Sequence, residues 1–338
     1  MAEEKGRAGA LREGCGRSCD GVPDRKMAEI LNGALLAGMR EVPGGETASY
    51  IPELSRADKK ELGICIYTRD GKIYETGDSE KRFSIQSISK VISLCVALRH
   101  CGFDKVFEKI RMEPSGDAFN SLLKLDMTSN YPYNPMINSG AIAVASYLMP
   151  VFSFKELSDY AGKLCLDPKI RLDEKVCASE MKHSARNRAI AYLLQSKGII
   201  ECDVERSLEL YIRMCSLSVT AKSLAGFGLV LANGGFHPKT GERLLDREVV
   251  RTVKTIMLTC GMYDGSGEFA VEVGIPSKSG VGGGILSVVD RKMGIGIYGP
   301  SLDPKGNSIG GQAMLRYVSE RLNLHMFAWE EQERAVRS

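Results

Sequence analysis

No uninterrupted apolar run in the 338-residue chain approaches the ~20 residues of a membrane-spanning helix, so no transmembrane segment is expected. A dominant charge is also missing. Lys+Arg number 45 and Asp+Glu 42, and the net +3 makes no electrostatic case for nucleic acid. The N-terminal MAEEKGRAGALREGCGRSCDG has no apolar signal core, so export is not indicated. Beyond that tail there is no low-complexity tract, and no internal repeat runs through the chain. The 10 cysteines lack a metal framework. Cys15 and Cys19 lie close together in the polar tail, but no second Cys/His pair with zinc-type spacing follows. Most of the others stand singly among apolar residues, as in Gly63-Ile64-Cys65-Ile66 and Ser93-Leu94-Cys95-Val96, the pattern of buried free thiols. A cytoplasmic protein with reduced thiols is expected.

What is present is ordinary globular material, 43% hydrophobic and 26% charged, long enough for about two lobes. Residues 1–26 are rich in Gly, Arg and charge and are expected to form a disordered tail. Met27 to Met39 has helical apolar spacing. Gly63 to Thr68 and Lys72 to Thr76 flank Asp70-Gly71 and read as a hairpin. Ser87 to His100 reads as a buried helix stopped by Gly102. Helices are expected at Phe154 to Leu164, Ser184 to Lys197, Val204 to Met214, Thr220 to Ala232 (capped by Thr220) and Asp246 to Met257 (capped by Asp246). Phe269 to Val273 reads as a strand, and Gly284 to Val289 with Met293 to Tyr298 as a second hairpin. A last helix spans about Gly311 to Leu322. Runs of one element type point to an α+β fold. The economical solution joins both hairpins in one antiparallel sheet flanked by helices. That sheet lobe takes residues 27–86 and 260–325, an all-helical lobe takes 87–259, and 326–338 is a C-terminal tail. A cleft would lie between the lobes.

Ser87-Ile88-Ser89-Lys90 is an S-x-x-K sequence at the start of the buried helix. Three residues rotate roughly 300° and rise about 4.5 Å, so Ser87 and Lys90 share a face whereas Ser89 looks elsewhere. A serine hydroxyl needs a base to become a nucleophile. A lysine serves only if burial or a positive field lowers its pKa, and Val91 to Val96 would supply the burial. The helix start would supply a backbone N–H for an oxyanion. The plain alternative is a surface Ser/Lys pair on an ordinary helix. Further on, Lys278-Ser279-Gly280 precedes an apolar strand. Enzymes of the penicillin-recognising class carry a K-[TS]-G triad on a strand beside the S-x-x-K nucleophile.

Five separated stretches together carry a family resemblance. They are Phe83 to Lys90 (FSIQSISK), Tyr133 to Ile142 (YNPMINSGAI), Leu231 to Phe236 (LANGGF), Cys260 to Asp264 (CGMYD) and Lys278 to Val281 (KSGV). In this order they resemble the serine-dependent glutaminases, over roughly residues 27 to 325. The resemblance implies a β-lactamase-like fold and hydrolysis of L-glutamine to L-glutamate and ammonia. Ser87 matches the nucleophile, Lys90 the base and Tyr263 the proton-relaying tyrosine. The backbone N–H groups of Ser87 and Val281 match the oxyanion hole. Tyr50, Gln86, Asn138, Glu180, Asn187 and Tyr211 match substrate-holding positions, to which Ser87, Tyr263 and Val281 also contribute. No metal or organic cofactor is implied. A homodimer or homotetramer is. The chain lacks the ankyrin repeats of larger animal-type relatives and looks like the short bacterial form.

The chemistry of free glutamine suits this set. Its ammonium needs a carboxylate, for which Glu180 is the candidate, and its carboxylate needs neutral or positive donors. Each residue also has a plainer reading. Tyr50 could be a packed loop aromatic, and Tyr211 a core residue. Asn138 could cap a helix beginning at Ser139 or Gly140. Glu180 could be a solvated ion pair among Lys175, Lys182 and Arg186. Gly280-Val281-Gly282-Gly283-Gly284 imitates a phosphate loop but lacks G-K-[ST]. None of His100, His183, His237 and His325 lies in a matched motif, which disfavours a Ser-His-Asp triad. Two rival functions remain open on this evidence, a penicillin-recognising acyl-transferase or hydrolase and a non-catalytic glutamine-binding protein on the same fold.

Overall fold

The computed structural model describes residues 22–115 and 130–329. Cys15 and Cys19, nearly all of the expected 1–26 tail and most of the 326–338 tail lie outside that range. The first helix, α1 (Asp24–Glu41), begins slightly before the expected Met27 and buries Met27, Ile30, Leu31, Ala34 and Gly38 on one stripe. A single turn, α2 (Pro52–Ser55), precedes the first hairpin, β1 (Gly63–Thr68) and β2 (Ile73–Gly77).

The main sheet is antiparallel. Besides β1 and β2 it holds β6 (Ser277–Gly280), β7 (Gly284–Val289) and β8 (Met293–Tyr298), in the order β2-β1-β8-β7-β6. The two expected hairpins therefore meet, with Ile64 opposite Ile297 and Ile66 opposite Ile295. Those isoleucines, with Ile285, pack against α1 and the last helix, α13 (Ile309–Leu322), through Leu31, Met314, Leu315 and Val318. The other face, with Cys65, Leu286 and Val288, belongs to the larger core shared with the helical residues.

A central helix, α10 (Ala221–Ala232), lies directly on β8. A Cβ added to Gly296 would fall 1.8 Å from the Ala221 carbonyl oxygen, and one on Gly294 would fall 2.1 Å from that of Ala225. Backbone contact at this range needs glycine. Thr220 caps α10 as expected, through a reciprocal capping box with Ser223. A small second sheet, ordered β3-β5-β4, joins β3 (Phe83–Ser84), β4 (Arg171–Leu172) and β5 (Leu217–Val219). Its two- and three-residue strands were too short to leave a periodic signal in the sequence.

The remaining helices surround the larger core. They are α3 (Ser89–His100), α4 (Phe103–Glu108), α5 (Asn138–Leu148), α6 (Phe154–Leu164), α7 (Glu174–Lys182), α8 (Ala185–Ser196), α9 (Val204–Cys215), α11 (Arg247–Cys260) and α12 (Ser266–Glu272). Two expectations are corrected here. The expected strand Phe269 to Val273 is mostly the helix α12. Phe269 and Val273, four apart, are buried whereas Val271 is 80% exposed, which is a helical pattern that its β-branched residues obscured. Asp246 occupies the N-cap position of α11 but makes no side-chain capping bond; it faces Arg243 at 3.7 Å.

Among the described residues no helix is long and apolar enough to cross a membrane, and no cluster of His, Cys, Asp and Glu could hold a metal. The eight described cysteines are all free.

Candidate active site

The chain enters the site along β3, which is held by β5 through Phe83 opposite Val219. The Ile85 N–H continues this pairing by donating to the Leu217 carbonyl at 2.8 Å. The backbone then turns sharply. Gln86 sits at φ +50°, and Gln86–Ile88 form one 3-10 turn that runs into α3. The expected helix from Ser87 to His100 is thus divided. Ser87 lies on the tight turn and Lys90 in the first turn of α3, both buried.

The glycine run after Lys278-Ser279 explains how that turn is held. A Cβ on Gly280 would lie 2.8 Å from the Ile85 carbonyl oxygen, and one on Gly282 would lie 2.5 Å from that of Ser84. The run is a close backbone approach, not a phosphate cradle, and it carries Val281 to the Ser87 turn. Val281 packs on Ile51, Leu54 and Val176, next to Tyr50 and to α7.

Two lysines lie in this buried region. Lys90 Nζ donates to Asn138 Oδ1 at 2.7 Å and to the Met136 carbonyl at 3.3 Å. Burial lowers its pKa to about 8, and the nearby Cys215 thiol works weakly in the other direction. Lys278, on the edge strand β6, is fully buried and donates to the Gly261 and Ser279 carbonyls at 3.1 and 2.6 Å. Its amine lies 4.4 Å from the centre of the Tyr263 ring. Burial, and then the charge of Lys90, hold its pKa well below the usual lysine range. The K-S-G motif marks this strand in the sequence, but neither the motif nor the family resemblance singles out Lys278 as a site residue.

Tyr263 follows α11 on a second tight turn, at φ +54°. A non-glycine residue at positive φ is uncommon, and strained backbone gathers at functional sites. Burial pushes the Tyr263 phenol up. Hydrogen bonding to the Ser87 side chain and the Val281 backbone pulls it back in part.

On the other side, the Tyr50 hydroxyl lies 2.7 Å from Glu180 Oε1 and 3.0 Å from Gln86 Oε1, and Gln86 Nε2 donates to Ser84 Oγ. Glu180 is buried on α7 and joins no ion pair among the described residues, so the reading as a solvated pair with Lys175, Lys182 or Arg186 is corrected. Burial raises its pKa, against the pull of hydrogen bonds from Tyr50 and Gln86. Asn138 does not cap: α5 begins at Asn138 itself, with Ile137 in the cap position. Its Oδ1 also accepts from the Tyr211 hydroxyl at 3.3 Å, and its Nδ2 donates to Asn187 Oδ1 at 2.9 Å. Three helices, α5, α8 and α9, therefore converge on Lys90.

These contacts form three groups: Tyr50 with Gln86 and Glu180, Lys90 with Asn138, Asn187 and Tyr211, and Tyr263 with the Ser87 side chain and the Val281 backbone. No histidine hydrogen-bonds Ser87 among the described residues. The open groove of about 950 Å³ bordered by Tyr67, Arg82, Asp167 and Lys222 contains none of the site residues. Chemically, a buried hydroxyl is hydrogen-bonded to a phenol and stands one helical turn along the chain from an amine of lowered pKa, and the residue before it shares a tyrosine hydroxyl with a buried carboxylate able to accept a cation.

A family model described as Glutaminase matches residues 45–327. The chain is 48% identical over 305 residues to Glutaminase 2 of Clostridium perfringens (strain 13 / Type A), covering 89% of this chain and 100% of that protein. Among solved structures, the probable glutaminase ybaS superposes with a TM-score of 0.85 at 36% identity, over 90% of this chain and 99% of the other. A Bacillus subtilis glutaminase superposes with a TM-score of 0.80 at 35% identity, over 89% of this chain and 100% of the other. That structure is a covalent complex with 5-oxo-L-norleucine, formed by reaction of the protein with 6-diazo-5-oxo-L-norleucine.

Proposed function

Because the chain belongs to the glutaminase family and hydrolyses L-glutamine to L-glutamate and ammonia, we propose that it does so through a γ-glutamyl ester on Ser87. Lys90 in its neutral form takes the Ser87 proton, and Ser87 Oγ attacks the side-chain amide carbon. The backbone N–H groups of Ser87 and Val281 hold the oxyanion, at about 3 kcal/mol per donor. Tyr263 passes a proton to the departing ammonia. Water then cleaves the ester by the reverse relay. Glu180 receives the substrate ammonium, while Asn138, Asn187 and the hydroxyls of Tyr50 and Tyr211 lie toward its carboxylate. Gln86 lines the pocket beside the nucleophile. No metal or organic cofactor enters the scheme.

The observation that carries the proposal is the buried amine of Lys90, held by the neutral acceptors Asn138 Oδ1 and Met136 O one helical turn from a buried serine. The covalent complex that the Bacillus subtilis relative forms with 5-oxo-L-norleucine supports a covalent route. We also assign the fold to the β-lactamase-like class, with a sheet lobe of residues 27–86 and 260–325 and a helical lobe of 87–259. A cytoplasmic homodimer or homotetramer completes the reading.

The pH dependence tests the base. With Lys90 at about 8, only its minor neutral form is competent at pH 7. kcat/KM should rise about tenfold per pH unit below pH 8 and level off above it. A kcat/KM that falls between pH 6 and 8 would contradict the assignment. Stability follows the same sign. The Lys90 value is lower in the folded chain than in the unfolded one, so between about pH 8 and 10.5 the unfolded state binds the extra proton. Stability from this group therefore rises with pH through that window. Below it, the cost of burying the charge is fully present.

Glu180→Gln removes the proposed ammonium partner and keeps the side-chain shape. KM for glutamine should rise about 100-fold, the loss of a desolvated charge pair, with a much smaller change in kcat. Steady-state kinetics decide this, and an unchanged KM ends the assignment.

A further inference from the structure

We propose that Asn138 is the positioning residue of Lys90, with Asn187 fixing the orientation of the Asn138 amide, so that substrate recognition and the base are coupled through one amide pair. This rests on the reading of Lys90 as the base for Ser87.

An asparagine side chain offers two acceptor sites on oxygen and two N–H donors. In Asn138 both acceptor sites are occupied within the protein, by Lys90 Nζ at 2.7 Å and by the Tyr211 hydroxyl at 3.3 Å. One N–H is given to Asn187 Oδ1 at 2.9 Å. A single N–H remains for a ligand. A residue that served only to bind substrate would keep more of its capacity open. A flip would replace the oxygen that accepts from Lys90 and Tyr211 by N–H groups, so the aim of the Lys90 amine depends on which way this amide is turned. Asn187, on α8, selects that orientation by accepting from Nδ2.

The neutrality of the acceptor matters as much as its position. An aspartate would have nearly the same shape, but its charge 2.7 Å from Nζ would hold Lys90 as an ammonium. Asparagine aims the amine without that penalty. Other groups that face Lys90 include the Cys215 thiol and the Tyr211 ring from α9, and Lys278 from β6. The Met136 carbonyl precedes α5. None of these is a carboxylate. Asn187 itself belongs to the proposed substrate pocket, so any movement imposed there by the amino-acid head reaches Lys90 through Asn138.

The test is a set of pH profiles of kcat and kcat/KM, with circular dichroism on every variant, for the wild type, Asn138→Asp, Asn187→Ala and Lys90→Ala. Asn138→Asp is expected to move the acid limb of kcat/KM up by at least one pH unit, with activity recovered at high pH. Asn187→Ala leaves the Lys90 contact in place but frees the amide to flip, and it is expected to lower kcat at least tenfold. If both variants only raise KM, with the acid limb and kcat as in the wild type, the proposal is overturned and Asn138 is a substrate ligand alone. Should Asn138→Asp fail to fold, the kcat of Asn187→Ala decides. Lys90→Ala separates the two levels of inference, because wild-type turnover in that variant would refute the base assignment itself.

Discussion

Replacing Ser87 by alanine is expected to reduce ammonia release from glutamine by at least about 10,000-fold, the scale seen when a hydrolase loses its nucleophile. The substitution removes one oxygen from a turn held by other means. Ile85 remains hydrogen-bonded to Leu217, and Gly280 and Gly282 still press on the backbone of Ile85 and Ser84. The Ser87 backbone N–H also stays in place. The fold and the proposed oxyanion site therefore survive, and the loss reports on Oγ alone. Two measurements check this. Circular dichroism should match the wild type. Mass spectrometry of enzyme quenched during turnover should find a γ-glutamyl adduct on wild-type protein and none on the variant. Near-native turnover by Ser87→Ala would end the acyl-enzyme scheme.

Lys90→Met should produce the second large loss, about 1,000-fold in kcat/KM, within the range expected for a general base. It also tests the physical cost of the site. Lowering Lys90 from 10.5 to about 8 by complete burial corresponds to about 3 kcal/mol of destabilisation at neutral pH. Methionine fills similar space without a charge to desolvate. Against this, the Met136 carbonyl loses a donor, whereas Asn138 Oδ1 keeps Tyr211; an unsatisfied acceptor costs about 1–3 kcal/mol. The variant is therefore expected to be nearly inactive with a Tm no lower than the wild type. A Tm several degrees lower would mean that Lys90 serves as a structural hydrogen-bond donor more than as a tuned base.

Two positions link these variants. Gln86 and Tyr263 both hold left-handed backbone without being glycine, on either side of Ser87. Such conformations persist only where the surroundings over-determine them. Around Ser87 those surroundings are the β3–β5 pairing, the glycine run and α3, which together keep the hydroxyl against the Tyr263 phenol.

Much of this protein was legible in its residues because local physics decides it. Short apolar runs on either side of the Asp70-Gly71 and Asp290-Arg291-Lys292 turns specify the two hairpins, since strand runs and turn chemistry act over a few neighbours. Thr220 marks the start of α10 for the same reason. The S-x-x-K spacing puts a serine and a lysine one turn apart on the chain. Other features depend on contacts between distant segments. Phe269 to Val273 carries β-branched residues yet is mostly helical, because burying Phe269 and Val273 against the sheet core outweighs a weak local preference. The meaning of Gly280 to Gly284 appears only where the turn presses on Ser84 and Ile85. Whether Glu180 is solvated or buried is decided by Tyr50, 130 residues earlier in the chain. The residue types of the site are thus written in the sequence, but the charge state of Lys90 and the aim of Asn138 are set by the helices packed around them, because burial and hydrogen-bond partnership are properties of the assembled core.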